Sequence, residues 1–341
     1  MSRRADWPEE PEPLPLPVVD DHTHLETVVR LTDDGGWRAE GEDPAGDRWD
    51  EAAREAVLRH VERAARAGVT RMVQVGCDLD AVAWTDAAVR EVPALLGAVA
   101  VHPNEAVLHA GVREIAPDGL EPDPRPRHEV PLEEAISRVE AVARGNERIR
   151  CIGETGLDFF RAGERGRQVQ REAFRAHLAL AKELDLVLQI HDRDAHEEVV
   201  AVLEADGAPE RTVFHCFSGD AELARRCAEH GWFLSFAGPV TFRTNEELRR
   251  AAAVVGPSLT LLETDAPYLA PQPFRGRPNA PYLAARTLRV LAEAQGRSLA
   301  ELCEAVERNA LALYGPWDEP RGEVRRPGEK GLPDALEGPR D

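Results

Sequence analysis

At 341 residues and 43% apolar content, the chain can bury a large core, and it contains no run of the roughly 18 apolar residues that a membrane span needs. Its formal net charge of −20 repels a polyanion as a whole, which argues against a protein that coats long duplexes with a basic face. The five cysteines lack CxxC spacing and the charged, proline-rich N-terminus lacks a signal-peptide pattern, so we expect a cytoplasmic enzyme.

Apolar runs typical of buried strands alternate with amphipathic helical stretches, which is the pattern of a parallel α/β fold. The predicted strands are Val18–His24, Thr70–Gly76, Leu95–His102, Arg150–Leu157, Leu186–His191, Arg211–Phe217, Trp232–Ala237 and Leu259–Asp265. The predicted helices are Glu51–Ala67, Asp80–Glu91, Leu132–Arg144, Val169–Leu184, Ala195–Ala205, Asp220–His230, Glu246–Val255, Tyr282–Gln295 and Leu299–Leu313. This order favours a closed (β/α)8 TIM barrel, although a doubly wound open sheet has the same local pattern.

Two segments have the composition of insertions after strands. Residues 27–50 are rich in Gly, Asp and Glu, and residues 109–131 are proline-rich. Both would lie beside the mouth of a barrel, either as lids and specificity loops or as passive surface insertions. The barrel is expected to span residues 18–316, with polar tails at 1–17 and 317–341 that we expect to be disordered.

The first predicted strand ends in the sequence DDHTHL, which contains His22 and His24. Residues two apart on a strand project to the same face, so these imidazoles lie side by side. Two neutral imidazoles in this arrangement form half of a metal site, although structural histidine pairs also occur. The place of the pair, after a buried run and before a polar loop, favours metal binding.

The fourth predicted strand ends in GETGLD, which places Glu154 between glycines at the end of an apolar run. A buried carboxylate is costly there unless it is paired or bound to a cation. One interpretation is a salt bridge or a helix cap. The other is a bridging ligand, because one carboxylate can give an oxygen to each of two metals about 3.5–4 Å apart.

The fifth, sixth and eighth predicted strands end near His191, His215 and Asp265. Each histidine alone would be a satisfied core residue, but the strand ends of a barrel converge on one mouth, so together they indicate a metal centre. Asp265 is the expected partner of His22 and His24, since the first and last strands become neighbours, and it could accept the proton of a metal-bound water. Glu263 is expected either to orient a ligand imidazole or to form a structural ion pair.

The segments DDHTHL, VHPNE, GETGLDFF, QIHDRDA, FHCFSGD, GPVTFR, LETDAPYLAPQPFRGRPNAP and the final RNA..LYG together resemble the TatD family of metal-dependent deoxyribonucleases. The resemblance covers the chain from about Val18 to Tyr314. It implies a TIM barrel related to the amidohydrolases, with two divalent ions such as zinc, magnesium or manganese. It also implies the ligand sets His22, His24, Glu154 and Asp265 for one ion, and Glu154, His191 and His215 for the other. Related phosphotriesterase-like barrels commonly bridge their metals with a carboxylated lysine, and the fourth strand here has none.

The residues expected to contact substrate are His102, Arg193, Arg275 and Arg277. Guanidinium groups grip phosphate through paired hydrogen bonds, although arginines on the surface are often only solvated. His102 precedes a proline and could be purely structural. Two departures from the common family pattern fall here, since RGR replaces RGK and Phe159-Phe160 replaces a tyrosine pair.

The sequence thus predicts phosphodiester hydrolysis in DNA by metal-activated hydroxide, with Glu154 bridging and Asp265 as ligand and general base. The resemblance suggests a 3′–5′ exonuclease acting on single-stranded ends. Nucleic acid is expected as a locally bound substrate, with no membrane and no obligate protein partner. The alternatives are a two-metal hydrolase of a small ester, amide or phosphate, and a metal-binding scaffold without catalysis.

Overall fold

A computed structural model describes residues 7–31 and 48–319. Eight parallel strands form one sheet in which each strand pairs with the next along the chain. The strands are β1 (Val18–Thr23), β2 (Val69–Gly76), β3 (Leu95–Val99), β4 (Ile149–Asp158), β5 (Val187–Arg193), β6 (Thr212–Phe214), β7 (Phe233–Phe236) and β8 (Thr260–Leu262). All eight coincide with predicted strands, because parallel strands covered on both faces are read as apolar runs.

Eleven α-helices lie within the described residues. They are α1 (Leu25–Val28), α2 (Glu51–Arg66), α3 (Leu79–Glu91), α4 (Pro103–His109), α5 (Leu132–Gly145), α6 (Glu164–Glu183), α7 (His196–Asp206), α8 (Ala221–Glu229), α9 (Glu246–Val255), α10 (Ala284–Ala294) and α11 (Leu299–Tyr314). Short 3₁₀ helices occupy Pro126–Glu129, Gly238–Thr241 and Pro281–Leu283. None of the helices in the described residues is long and apolar enough to cross a membrane.

The first and last strands close the sheet into a barrel. Thr23 forms a parallel bridge with Ala266. The Asp265 amide donates to the His22 carbonyl at 2.9 Å, and the His24 amide donates to the Ala266 carbonyl at 2.8 Å. The prediction of a (β/α)8 barrel is therefore confirmed, and the open-sheet alternative is wrong.

The interior of the barrel is apolar at one end and polar at the other. Val19, Val73, Leu96 and further inward-facing strand residues form a cluster that packs on Tyr314, at the end of α11. Beyond this apolar cluster, towards the C-terminal ends of the strands, the buried side chains include His, Asp, Glu and Gln. The apolar cluster therefore supports a polar layer at the end of the barrel where active sites are found.

The prediction of disordered tails does not hold for their described parts. Leu14 is buried and its amide donates to the Ala67 carbonyl at 3.0 Å, while the Tyr282 hydroxyl donates to the Pro8 carbonyl at 2.7 Å. At the other end, buried Trp317 donates from Nε1 to the Ala94 carbonyl at 3.1 Å. Composition suggested disorder because it averages over a segment, whereas a few apolar side chains are enough to anchor it. The remaining parts of both tails, 1–6 and 320–341, lie outside the described residues, as does 32–47 of the first inserted segment.

The second inserted segment, residues 109–131, is held against α4. The Arg127 guanidinium and His128 Nε2 both donate to Glu105 Oε2 at 2.8 Å. The Arg125 backbone N–H donates to His128 Nδ1 at 2.7 Å, so in the neutral ring Nε2 carries the proton and has no lone pair for a metal. We conclude that the contacts of Glu105 with Arg127 and His128 fix the loop, and that neutral His128 offers no lone pair to a metal.

Acid is expected to destabilise the fold through His177 on α6. This buried imidazole accepts from the Val101 amide at 3.1 Å and donates to the Ala173 carbonyl at 2.8 Å, and burial lowers its pKa to about 4. Between that value and the ordinary pKa of about 6.5, the unfolded chain binds a proton that the folded chain does not, so stability falls as the pH drops through this window. In urea unfolding, the loss between pH 7 and pH 4.5 should be smaller in His177→Gln than in the wild type, by about 2.5 kcal/mol. Equal losses in the two proteins would contradict this assignment.

Candidate metal centre

The structure brings all six predicted metal ligands together at the C-terminal mouth of the barrel. Each lies on a strand or within a few residues of its end, which is why the sequence order of the motifs becomes a ring in space. They are His22, His24, Glu154, His191, His215 and Asp265.

Glu154 lies at the centre of this group. Its Oε1 is 3.9 Å from His22 Nε2 and 3.7 Å from His24 Nε2. Its Oε2 is 3.0 Å from His191 Nδ1 and 2.8 Å from His215 Nε2. The two oxygens of one carboxylate therefore face two different pairs of imidazoles.

Asp265 lies beside the imidazole pair of His22 and His24. Its Oδ1 is 3.3 Å from His24 Nε2 and 3.9 Å from His22 Nε2. The residue has a left-handed backbone with φ of 54°, a region in which Asp and Asn are more common than most residues. Buried Asp20 holds the preceding residue, because the Thr264 amide and hydroxyl donate to its carboxylate at 2.9 and 2.6 Å.

Each candidate ligand imidazole has an oxygen atom within 3.3 Å of the ring nitrogen that faces away from the centre. These contacts are His22 Nδ1 to Gln189 Oε1 at 3.0 Å, His24 Nδ1 to the Val75 carbonyl at 3.1 Å, His191 Nε2 to Asp158 Oδ2 at 3.3 Å, and His215 Nδ1 to Glu263 Oε1 at 3.2 Å. The hydrogen bonds of His22 and His24 fix the proton on the outer nitrogen and leave the lone pair of the inner nitrogen for a metal. The contacts of His191 and His215 are carboxylate–imidazole distances within ion-pair range. The donor set of four oriented imidazoles and two carboxylates thus fits divalent cations.

The pKa values reflect the crowding of charge at this centre. Burial raises the pKa of Glu154, but the charge of the neighbouring His215 ring and the hydrogen bond with His191 outweigh it and hold that pKa well below its usual range. Burial lowers the pKa of His191, yet hydrogen bonds to Asp158 and Glu154 raise it overall to about 9. The charged form of the buried Glu154 is therefore stabilised by the imidazoles around it.

Comparison with known proteins places this centre in a family. A sequence model described as TatD related DNase matches residues 19–315. The chain belongs to this family. An uncharacterised metal-dependent hydrolase TatD of Mycobacterium tuberculosis is 38% identical over 87% of this chain and 98% of its own length. The metal-dependent hydrolase YabD of Bacillus subtilis is 32% identical over 74% of this chain and 91% of its own length.

Solved structures of the TatD type share the barrel. The YjjV structure from Escherichia coli, a TatD homologue, has a TM-score of 0.69 at 23% identity and covers 88% of this chain and 98% of its own. A TatD family hydrolase from Entamoeba histolytica has a TM-score of 0.68 at 17% identity, over 88% of this chain and 99% of its own. At these identities the likeness concerns the fold alone, and it agrees with the eight-stranded barrel described above.

Among the predicted substrate contacts of this TatD-family site, His102 lies nearest to the ligands. Its Nε2 is 4.0 Å from Glu154 Oε2, and its Nδ1 accepts from the Asn104 amide at 3.1 Å. Nε2 therefore carries the proton and is a donor rather than a ligand. Burial lowers the pKa of His102 to about 4, so the ring is a neutral donor near neutral pH.

The three predicted arginines occupy different surroundings. Arg193 is exposed, and its guanidinium lies 4.1 Å from the centroid of the Phe160 ring. Arg275 is exposed and lies 5.0 Å from the centroid of Phe242. Arg277 donates to the Trp7 carbonyl at 2.8 Å, so part of its guanidinium anchors the N-terminal segment.

Three residues at the centre were not predicted. Cys77 donates from Sγ to Glu154 Oε1 at 3.3 Å. Gln189 Oε1 accepts from His22 Nδ1, and Asp158 Oδ2 lies 3.3 Å from His191 Nε2. Each has a sequence signal, because Gln189 precedes His191 by two residues on one strand face and Asp158 ends the GETGLD motif.

Gln189→Leu is expected to weaken metal binding by about 10- to 100-fold, the usual effect of removing a partner that orients a ligand imidazole. Gln189 is fully buried and is itself fixed, because its amide donates to the Asp21 carbonyl and to the Tyr314 hydroxyl, both at 2.7 Å. Competition between the protein and a chromophoric chelator for Zn²⁺ measures the effect. Gln168→Leu, on the exposed face of α6, makes the same change away from the mouth and should bind as the wild type does. A wild-type affinity for Zn²⁺ in Gln189→Leu would show that Gln189 does not contribute to metal binding.

Proposed function

We propose that the protein hydrolyses phosphodiester bonds at the ends of single-stranded DNA. The observation that carries the proposal is the division of the Glu154 carboxylate between two imidazole pairs, with Asp265 beside one of them. This arrangement suits two cations that share one carboxylate, which is the recurring design of enzymes that displace groups at phosphorus. Membership in a family described as TatD related DNase supports the same substrate.

We propose two divalent ions at this centre. One would be held by His22, His24, Glu154 and Asp265, and the other by Glu154, His191 and His215. When bound, such ions lower the pKa of water, polarise the phosphate and neutralise the charge of the leaving oxygen. The four imidazoles and two carboxylates suit zinc, manganese, iron or nickel better than magnesium.

Two side chains carry the protons in this proposal. Asp265 Oδ1 lies at the edge of the mouth beside His24 and accepts the proton of the attacking water as a general base. His102 Nε2 faces the centre and donates a hydrogen bond to a phosphate oxygen. Because the pKa of His102 is about 4, its ring is neutral near neutral pH and acts as a hydrogen-bond donor without a charge of its own.

The remaining contacts favour a chain end over a long duplex. A net charge of −20 repels DNA at a distance, so binding depends on local groups at the mouth. Arg193 stacks on Phe160 at the rim, and an exposed guanidinium on an aromatic ring offers both a phosphate partner and a stacking surface. A 3′–5′ direction rests on the resemblance to the TatD family alone.

The proposal is tested with single-stranded DNA labelled at its 3′ or 5′ end. Metal-stripped protein receives Mg²⁺, Mn²⁺ or Zn²⁺ in turn, with Glu154→Ala alongside. Metal-dependent cleavage that is lost in the variant is the expected result, and the label pattern gives the direction. Intact DNA under every metal, from protein that binds two ions, would overturn the proposal in favour of a hydrolase of small esters or phosphates. If cells that carry Asp265→Ala kept the biological function of the protein, this would instead favour a metal-binding scaffold without catalysis.

A further inference from the structure

A cavity of about 720 Å³ lies beside the candidate metal centre. None of its described lining residues has a role in the proposed reaction. Tyr268 and Glu26 form the wall that it shares with the centre. The Tyr268 ring lies 6.0 Å from the ring of His24, its amide donates to the Asp265 carbonyl at 2.8 Å, and Glu26 Oε1 is 3.7 Å from His24 Nδ1. The cavity therefore lies one layer of side chains away from His24 and Asp265.

Among the described residues, four arginines from three parts of the chain line the cavity, although the protein as a whole is strongly acidic. They are Arg30, Arg125, Arg127 and Arg138, and we call this cavity the arginine cleft. Its acidic lining residues are Glu26, Asp78 and Asp80. Asp78 and Asp80 lie 3.3 and 3.4 Å from the Arg127 guanidinium. Arg127 therefore forms ion pairs with two of these acidic residues.

Two of the arginines are open to solvent and pair with exposed carboxylates. The Arg125 side chain is 40% exposed and pairs with Asp123, which is 73% exposed. The Arg138 side chain is 53% exposed and pairs with Glu134, which is 54% exposed. Ion pairs this open to water contribute little free energy, whereas a phosphate bound by guanidinium releases counterions and forms paired hydrogen bonds.

The side of the cleft nearest to the metal centre offers an aromatic surface. Tyr268 is 47% exposed although it is one of the larger apolar side chains. A half-exposed ring beside a row of cationic groups is the combination by which proteins hold single-stranded nucleic acid, since bases stack on the ring and phosphates meet the cations.

The wall of the cleft is preformed. Arg127 and His128 of the 3₁₀ helix at Pro126–Glu129 both donate to Glu105. This holds the neighbouring Arg125 in place before a ligand arrives, and a preformed site loses less entropy on binding. The volume also lies within the range of about 300–1,000 Å³ that holds drug-sized ligands, which is the size class of a dinucleotide.

We propose that the arginine cleft binds the single-stranded nucleic acid that continues from the scissile phosphodiester, with a base on Tyr268 and the following phosphates at Arg125 and Arg138. This rests on the proposed function and adds that the enzyme distinguishes an oligonucleotide from a small diester. The inserted segment 109–131 thereby acts in substrate binding.

The test compares Arg138→Ala with Arg144→Ala on the full-length, metal-loaded protein. Both arginines lie on α5 and pair with a glutamate four residues earlier, but only Arg138 lines the cleft. For a ten-residue oligothymidylate, Arg138→Ala should raise KM about five-fold and the double variant with Arg125→Ala about twenty-fold, with kcat nearly unchanged. The salt dependence of binding, measured by fluorescence anisotropy in an Asp265→Asn background, should fall by about 0.7 in log–log slope for each arginine removed. Hydrolysis of bis(4-nitrophenyl) phosphate should not change.

The outcomes separate this inference from the proposed function. Wild-type KM and salt slope in the double variant, with oligonucleotide cleavage intact, would overturn the arginine cleft and leave the nuclease standing. An equal loss in Arg144→Ala would also overturn it, because the effect would then be one of general charge. A wild-type protein that hydrolyses the small diester but neither binds nor cleaves the oligonucleotide would overturn both.

Discussion

Glu154→Gln is expected to lower kcat/KM for phosphodiester hydrolysis by about 10³-fold or more. In the folded protein, one carboxylate oxygen faces His22 and His24, and the other faces His191 and His215. Glutamine has the same shape, but its amide carries no charge and offers only one oxygen, because its nitrogen bears two hydrogens. If Glu154 is shared between two cations, the variant cannot serve both, and we expect it to bind at most one.

Metal content and rate are measured together in this experiment. Each protein is dialysed to equilibrium against Mn²⁺ or Zn²⁺, and hydrolysis of bis(4-nitrophenyl) phosphate is followed on the same sample. Glu140→Gln makes the identical change on the surface of α5, where Glu140 pairs with Arg144, and it should retain both metal content and rate. Two ions bound to Glu154→Gln with wild-type affinity would show that the carboxylate is not shared.

The barrel and the group of six candidate metal ligands could be predicted from sequence because both depend on short-range sequence patterns. A strand that is buried on both faces is mostly apolar, as β3 is along its whole length. In a barrel, polar residues at the C-terminal ends of the strands are brought to one mouth by the topology itself. The six candidate ligands could therefore be grouped before their distances were known.

The partners that orient the ligands could not be found in this way. Gln189 reaches His22 across the interior of the barrel from β5 to β1, a separation of 167 residues in the chain. Which strand residue meets which imidazole depends on register and stagger, and Asp20 similarly holds Thr264 from 244 residues away. Polar residues within apolar strands indicate that partners exist, but they do not specify them.

Short and irregular segments account for the other differences. Helix α4 has only seven residues, too few for a helical periodicity, and its signals are a proline in the first turn and the cap formed by His102. The arginine cleft combines Arg125 from a proline-rich loop with Arg138 from a helix surface. In sequence, each of these arginines has the pattern of a solvated charge, and only the folded chain places them around one cavity.

Asp265→Asn is expected to lower kcat by about 10²- to 10⁴-fold while changing KM little, because it removes the proton acceptor but keeps the side-chain shape. The backbone should tolerate the change, since asparagine adopts the left-handed conformation of this residue, with φ of 54°, as readily as aspartate does. Asp194→Asn is the matched control, because Asp194 is exposed and has a φ of 55°. If rate and metal content fell together in Asp265→Asn, the residue would act mainly as a ligand. A lower rate at full metal occupancy would identify it as the general base, and a wild-type rate would assign proton transfer to another group at the mouth.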